Sequence, residues 1–229
     1  MPKITIAIDG FSSTGKSTVA KRLAKELGYV YVDTGAMYRA VTLFAMRNQI
    51  ISPSNFDKEA LILNLDEITI SFHFNAELGY AEVYINGENV EKEIRTLQVS
   101  SFVSQVSTIS EVRQKLVEQQ QNFGKDKGVV MDGRDIGTVV FPEAELKLFM
   151  TASAEKRATR RYHELLERGD KVTYEGVLEN VKSRDHIDST RQDSPLEMAQ
   201  DAIKINNSNM TLDEQFNYIL NLAKAKISA

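Results

Sequence analysis

Cysteine and tryptophan are absent from this chain of 229 residues. Without cysteine there can be no disulfide, no thiolate metal site and no cysteine nucleophile. No stretch approaches the ~20 consecutive apolar residues that a membrane span needs. The apolar run near the N-terminus, Ile4 to Ile8, is too short for a signal-peptide core and is cut off by Asp9, so the cytoplasm is the expected location and no membrane contact is expected. An excess of basic charge is also lacking. The formal net charge of -4 argues against a generic nucleic-acid-binding surface, although a local basic pocket is compatible with it. Repeats, linkers and low-complexity tracts are missing too. What is present is a globular composition, 42% apolar and 26% charged. That is enough for a real core in one large domain or in a domain carrying an insertion.

The first third alternates strand and helix. Ile4 to Ile8 is a short β-branched run suited to a buried parallel strand. Ser17 to Leu27 has helical spacing, with Val19, Ala20, Leu23, Ala24 and Leu27 on one face, and Gly28 follows as a stop. Tyr29 to Val32 reads as a strand, and Asp33-Thr34 can cap a helix from about Ala36 to Arg47. A short helix is expected around Asp57 to Leu65. Ile68, Ile70, Phe72 and Phe74 then alternate with polar residues, and Asn86-Gly87 is a type I′ turn signal. Asp66 to about Val90 is thus expected to be a small antiparallel sheet interrupting the β-α alternation. Helix returns from Glu93 and is strongest from Glu111 to Gln121. Val129 to Met131, Leu146 to Met150 and Ala202 to Ile205 are buried-strand candidates. Ala154 to Arg168 is a charged helix stopped by Gly169, Thr173 can cap the next helix, and Thr211 with Glu214 has capping-box spacing before the last. The fold class is α/β: a three-layer parallel sheet with flanking helices and a β insertion.

Gly10-Phe11-Ser12-Ser13-Thr14-Gly15-Lys16-Ser17 fits G-x-x-x-x-G-K-[ST], a pattern that chance supplies in about one chain per hundred of this size. Its place between a buried strand and a helix is the context that the phosphate-binding loop requires. Gly10 and Gly15 let the backbone curl so that successive N–H groups face phosphate oxygens, and the following helix adds the positive end of its dipole. Gly10, Ser12, Ser13, Thr14, Gly15, Lys16, Ser17 and Thr18 form the candidate ATP-binding set. Lys16 can reach the β- and γ-phosphates, and the Ser17 hydroxyl can ligate Mg²⁺. Asp132, ending Val129-Val130-Met131, can serve as the second metal carboxylate, directly or through a metal-bound water; its alternative is a helix cap or turn residue. Asp9 is expected to order the loop.

Arginine placement is the second signal. Transfer between two phosphates gathers roughly four to six mutually repelling charges, so an acceptor that is itself a phosphate calls for fixed cations, and planar Arg forks suit it. Arg39 lies one turn into the helix after Asp33-Thr34-Gly35. Arg134 sits beside Asp132. Arg157, Arg160, Arg161 and Arg168 crowd one helix, and Arg184 and Arg191 flank Asp185 and Asp188. The crowded helix before Gly169-Asp170-Lys171 reads either as a flap that closes on the transferring phosphate or as a salt-bridged surface helix.

Together these residues resemble the nucleoside monophosphate kinases, and within them the bacterial cytidylate kinase family. The likeness covers essentially the whole chain. It rests on the phosphate loop, Asp33-Thr34-Gly35-Ala36-Met37-Tyr38-Arg39, Glu93-Ile94-Arg95-Thr96, the run from Asp132-Gly133-Arg134-Asp135 to Pro142, and Arg184-Asp185 with Asp188 and Arg191. The resemblance implies ATP as donor with Mg²⁺, CMP or dCMP as acceptor, and a monomer. It implies a P-loop core of residues 1–35 and 93–229, with a helical lid near 155–172, and an acceptor-binding segment of residues 36–92 with its β insertion near 66–90. It implies catalytic roles for Lys16, Asp132, Arg134, Arg157 and Arg161. Thr34, Tyr38 and Arg39 would line the acceptor pocket. Ser104, Arg113 and Asp135 would read the cytosine edge, and Arg134, Arg184, Asp188 and Arg191 would contact ribose and phosphate. Asp135 can accept from the cytosine N4 donor, and Arg113 and Ser104 can donate to N3 or O2. The family's acceptor motif often has Ser where Thr34 stands, and the hydroxyl is retained.

Two rivals remain at this level. One is a P-loop kinase for another small acceptor, UMP or a shikimate-like molecule, although the latter would not need the β insertion. The other is a nucleotide-gated switch, against which no guanine-reading Asn-Lys-x-Asp run is found.

Overall fold

The computed structural model describes residues 2–75, 77 and 80–228; Met1, Ala76, Leu78, Gly79 and Ala229, three of them inside the expected β insertion, lie outside the described residues. In chain order the elements are β1 (Thr5–Gly10), α1 (Lys16–Leu27), β2 (Val30–Asp33), α2 (Thr34–Arg47), β3 (Ile51–Ser52), β4 (Asn55–Phe56), α3 (Lys58–Leu63), β5 (Ile70–Asn75), β6 (Tyr80–Ile85), β7 (Glu88–Asn89), α4 (Leu97–Val106), α5 (Ser110–Phe123), β8 (Val129–Asp132), β9 (Leu146–Thr151), α6 (Ala154–Glu167), α7 (Tyr174–Thr190), β10 (Ile203–Asn206) and α8 (Leu212–Ile227). The chain divides into two compact units, residues 1–31 with 124–229, and residues 32–123.

The first unit is built on a sheet in the order β10-β9-β1-β8-β2. β1 runs parallel to both β8 and β9, and β10 runs parallel to β9. Every residue of β1 is buried, as expected for a central parallel strand covered on both faces. Ile6 and Ile8 share one apolar cluster with Val19, Leu23, Leu148, Met150, Phe216 and Ile219, so α1 and α8 pack together on that face. β1 is central: from it the chain crosses to β2 at one edge, fills the gap with β8, and then passes to β9 and β10 on the other side, so its carboxyl end is the switch point where open α/β sheets take ligands. The π-helical turn Ile136–Val140 follows β8; single turns of this kind recur at functional sites.

The second unit has a core of its own, drawn from α2, α3, α4, α5 and one face of the antiparallel β5-β6-β7 sheet. Thr34 to Arg47 forms α2 because Asp33 caps it, accepting from the Ala36 N–H. Asn86 and Gly87 both adopt positive φ, 49° and 85°, the geometry of the type I′ hairpin read from the sequence. The β3-β4 hairpin and the short β7 were not legible in the sequence. The last helix opens with the capping box at Thr211 and Glu214.

Candidate active site

The phosphate loop leaves β1 at Gly10, whose φ is 141°; a Cβ there would lie 2.0 Å from the Met150 carbonyl oxygen. Only glycine permits that approach. Ser13 and Gly15 also take positive φ, 57° and 88°, which turns the chain sharply into α1. The Lys16 ammonium is buried and donates to the Phe11 carbonyl at 2.7 Å. Burial pushes its pKa down to about 7, with Arg134 acting in the same direction and Asp132, Asp9 and Asp188 opposing. Ser12 and Thr14 are buried in the loop, Ser13 and Ser17 are half-buried, and Thr18 is exposed. The Ser12 hydroxyl has no hydrogen-bond partner among the described residues.

Ser17 and Asp132, 115 positions apart, meet at the head of this loop. The Ser17 hydroxyl donates to one carboxylate oxygen of Asp132 at 2.9 Å, and the Tyr31 hydroxyl donates to the other at 2.7 Å. These hard oxygens fit Mg²⁺, which would take its remaining ligands from phosphate and water. Tyr31 went unnoticed in the sequence, because nothing local marks a tyrosine on β2 as the partner of a carboxylate on β8.

Asp9, expected to order the phosphate loop, interacts with the charge of Lys16 in that loop and also reaches beyond it. Its carboxylate accepts from the Ile136 and Gly137 N–H groups at 2.8 and 2.7 Å, and so ties down the turn that follows Arg134 and Asp135. Burial raises its pKa to about 7, with those two backbone bonds pulling the other way.

Beyond the turn lies a network of alternating charge. Arg134 donates to Asp188 at 2.8 Å. Burial opposes the Arg134 charge, but Asp188 and Asp132 keep its pKa above the ordinary value. Asp188 is disfavoured by burial and yet held low by Arg134, Arg184 and Arg191. Arg184 is pushed down to about 10 by burial, with Asp188 opposing. Arg191 donates to the Ser194 carbonyl at 2.8 Å and lies 3.8 Å from Asp135.

On α6 the three arginines differ in setting. Arg157 is buried; it pairs with Asp185 at 2.7 Å, donates to the carbonyls of Ala152 and Ser12, and lies over the Phe11 ring. Arg161 pairs with Glu164 at 2.7 Å. Arg160 reaches Thr14 and Asn207.

In the second unit, Thr34 and Tyr38 are buried on α2. Arg39 donates to the Ser100 hydroxyl at 2.7 Å and to the Ile94 carbonyl at 3.2 Å. Asp33 is paired with Arg95 at 2.9 Å, and Arg95 in turn with Glu91 at 2.9 Å. Burial works against the Asp33 carboxylate, but Arg95 holds its pKa below the usual range. Ser104 and Arg113 are both buried and are joined through Ser107, whose hydroxyl donates to the Ser104 carbonyl and whose carbonyl accepts from Arg113. The Arg113 guanidinium lies 5.6 Å from the centre of the Tyr38 ring. Ser100, which holds Arg39, carried no signal in the sequence, whereas Arg95 lay in the Glu93-Ile94-Arg95-Thr96 motif without a role of its own.

No helix among the described residues is long and apolar enough to cross a membrane. A solved structure of an uncharacterized protein from Eubacterium ventriosum has TM-score 0.50 and 12% identity, covering 98% of this chain and 99% of that one, which speaks to the fold alone. The family profile for cytidylate kinase matches residues 6–225. The cytidylate kinase of Flavobacterium johnsoniae is 66% identical over 222 residues, 97% of this chain and 96% of that protein. Those of Flavobacterium psychrophilum and Bacteroides fragilis are 62% and 56% identical, covering 97% and 96% of this chain and 98% and 96% of theirs. With an intact phosphate loop at the carboxyl end of its central strand and identity above half along nearly its whole length, this chain belongs to the cytidylate kinase family.

Proposed function

We infer that this chain transfers the γ-phosphate of ATP to CMP or dCMP, giving ADP and CDP or dCDP. The observation that carries the reading is membership of the cytidylate kinase family along nearly the whole chain. The arrangement of Lys16, Ser17 and Asp132 at the phosphate loop supports the donor half.

Lys16 and the N–H groups of Gly10 to Thr18 hold the ATP phosphates. Mg²⁺, held by Ser17 and by Asp132 directly or through water, would neutralise charge on the phosphate oxygens. Arg39 takes the CMP phosphate, with Thr34 and Tyr38 beside it. Arg134, Arg184, Asp188 and Arg191 hold ribose and phosphate. Ser104 and Arg113 donate to the cytosine ring, and Asp135 accepts from N4. A phosphate oxygen of CMP attacks the γ-phosphorus in line, the bond to the bridging oxygen breaks, and ADP leaves. Lys16, Arg134, Arg157 and Arg161 stabilise the charge that develops. No covalent enzyme intermediate is formed.

The reading also takes residues 36–92 as the acceptor-binding segment of a core made by 1–35 and 93–229, and residues 155–172 as a lid that excludes water. It takes the protein to work in the cytoplasm and without nucleic acid, as the sequence composition suggests, and as a monomer, as the family resemblance implies. A coupled ADP-release assay with CMP, dCMP, UMP, AMP and GMP tests the reaction. CMP and dCMP should be the best acceptors, and preference for another monophosphate would overturn the base-reading assignment.

A further inference from the structure

Asn207, on the loop after β10, is almost fully buried and joins four parts of the sheet unit. Its backbone N–H donates to the Thr151 carbonyl at the end of β9, and its side-chain amide donates to the Thr14 carbonyl at 2.7 Å and to Gln215 on α8. Its own carbonyl oxygens, side-chain and main-chain, accept from Arg160 of α6 at 3.1 and 2.8 Å, and Arg160 also reaches the Thr14 carbonyl at 3.4 Å. Two donors therefore converge from outside the phosphate loop on one carbonyl within it.

A trans peptide unit is planar, and its N–H points opposite to its C=O. Holding the Thr14 carbonyl toward α6 and the β10 loop therefore turns the Gly15 N–H away from them, toward the inside of the loop. Gly15 is the residue least able to fix this itself. It has no side chain, its φ is 88°, and nothing lies within 4 Å of where its Cβ would be, so what grips the Thr14 oxygen adds a restraint on its peptide that Gly15 itself does not supply.

We propose that Arg160 and Asn207 are positioning residues for the donor nucleotide, bracing the Thr14–Gly15 peptide so that its N–H is already aimed at phosphate before ATP arrives. This rests on the kinase reading above and assigns it two residues outside the phosphate-loop motif. Donors fixed in advance cost no reorganisation when the anion binds.

The test is steady-state kinetics of Arg160→Ala and Asn207→Ala, each with ATP varied at saturating CMP, with CMP varied at saturating ATP, and with GTP in place of ATP. Wild-type turnover of ATP with CMP in the same assay checks the kinase reading separately. Arg160 is only partly buried, so its variant stays informative if Asn207→Ala folds poorly. Loss of one such hydrogen bond should raise KM for ATP about three- to tenfold, with KM for CMP unchanged. The double variant, which leaves the Thr14 carbonyl with neither donor, should raise KM for ATP beyond either single variant. Unchanged ATP kinetics, or KM rising equally for both substrates, would overturn the bracing role. A lost preference for ATP over GTP in Arg160→Ala alone would also overturn it, since Arg160 would then be touching the base directly.

Discussion

Replacing Tyr31 by Phe removes one oxygen atom and leaves the ring where it is. The lost hydroxyl holds one oxygen of Asp132 at 2.7 Å, while Ser17 holds the other at 2.9 Å. Asp132 is nearly fully buried, so water cannot readily take the hydroxyl's place. Each of these bonds resists rotation of the carboxylate about its terminal bond, and removing the Tyr31 hydroxyl weakens that restraint. A hydrogen bond to a charged group is worth about 1.5–3 kcal/mol, and loss of an outer partner of a metal-binding carboxylate lowers metal affinity by about 10- to 100-fold. If Asp132 helps hold Mg²⁺, the deficit should appear only when the metal is present. The assay is calorimetric binding of ATP to wild type and Tyr31→Phe, once with Mg²⁺ and once with EDTA. The wild type should favour the metal complex, and the variant should narrow that preference by about tenfold with little change in EDTA. An unchanged preference, or equal weakening under both conditions, would refute the link from Tyr31 through Asp132 to the metal.

Ser100→Ala should raise KM for CMP by about three- to tenfold and leave KM for ATP alone, because Arg39 loses the hydroxyl that steadies it; steady-state kinetics with each substrate varied decides this. Arg95→Met should lower stability at pH 7 by about 2–3 kcal/mol in urea unfolding, since it leaves the buried Asp33 carboxylate unpaired. The folded pKa of Asp33 is below its unfolded value, so its contribution is full above about pH 4 and fades as pH falls through the folded value; in Arg95→Met the acid-unfolding midpoint should therefore rise. Lys16 ionises at about 7 before nucleotide arrives, and phosphate should restore its charge. ATP binding should therefore take up close to one proton at pH 8 and little at pH 6, as read from calorimetry in buffers of different ionisation enthalpy.

What the sequence disclosed was whatever is written in consecutive residues. The phosphate loop, the Asn86-Gly87 turn, the Asp33 cap and the Thr211–Glu214 box are each local patterns whose geometry follows from a few side chains. The parallel sheet was legible because buried strands such as Val129 to Asp132 are continuous apolar runs. The pairings that hold the site were not. Tyr31 and Asp132 are 101 positions apart, Arg39 and Ser100 61, and Arg160 and Asn207 47; which of many Tyr, Ser and Asn residues face these partners is decided by strand order. The π-helical turn shows the same limit. Val139 and Val140 favour a strand by their branching, yet the segment curls because the Asp9 carboxylate takes the N–H groups of Ile136 and Gly137. That is a tertiary contact overriding local preference.

The sheet unit is also unusual in where it spends stability. A lysine with Asp132, Asp9 and Asp188 around it would ordinarily hold its proton more firmly than a free one, but burial outweighs all three and drives Lys16 down. The Ser12 hydroxyl is buried without a hydrogen-bond partner among the described residues. Both the desolvated ammonium and the unpartnered hydroxyl are unfavourable in the free protein, and both would be relieved by an anion with several oxygens lying against the loop. Desolvated ammonium and orphan hydroxyl have no common structural cause, and a polyphosphate is a ligand chemistry that answers both. These two costs are therefore better understood as binding energy stored in the fold than as imperfection in its packing.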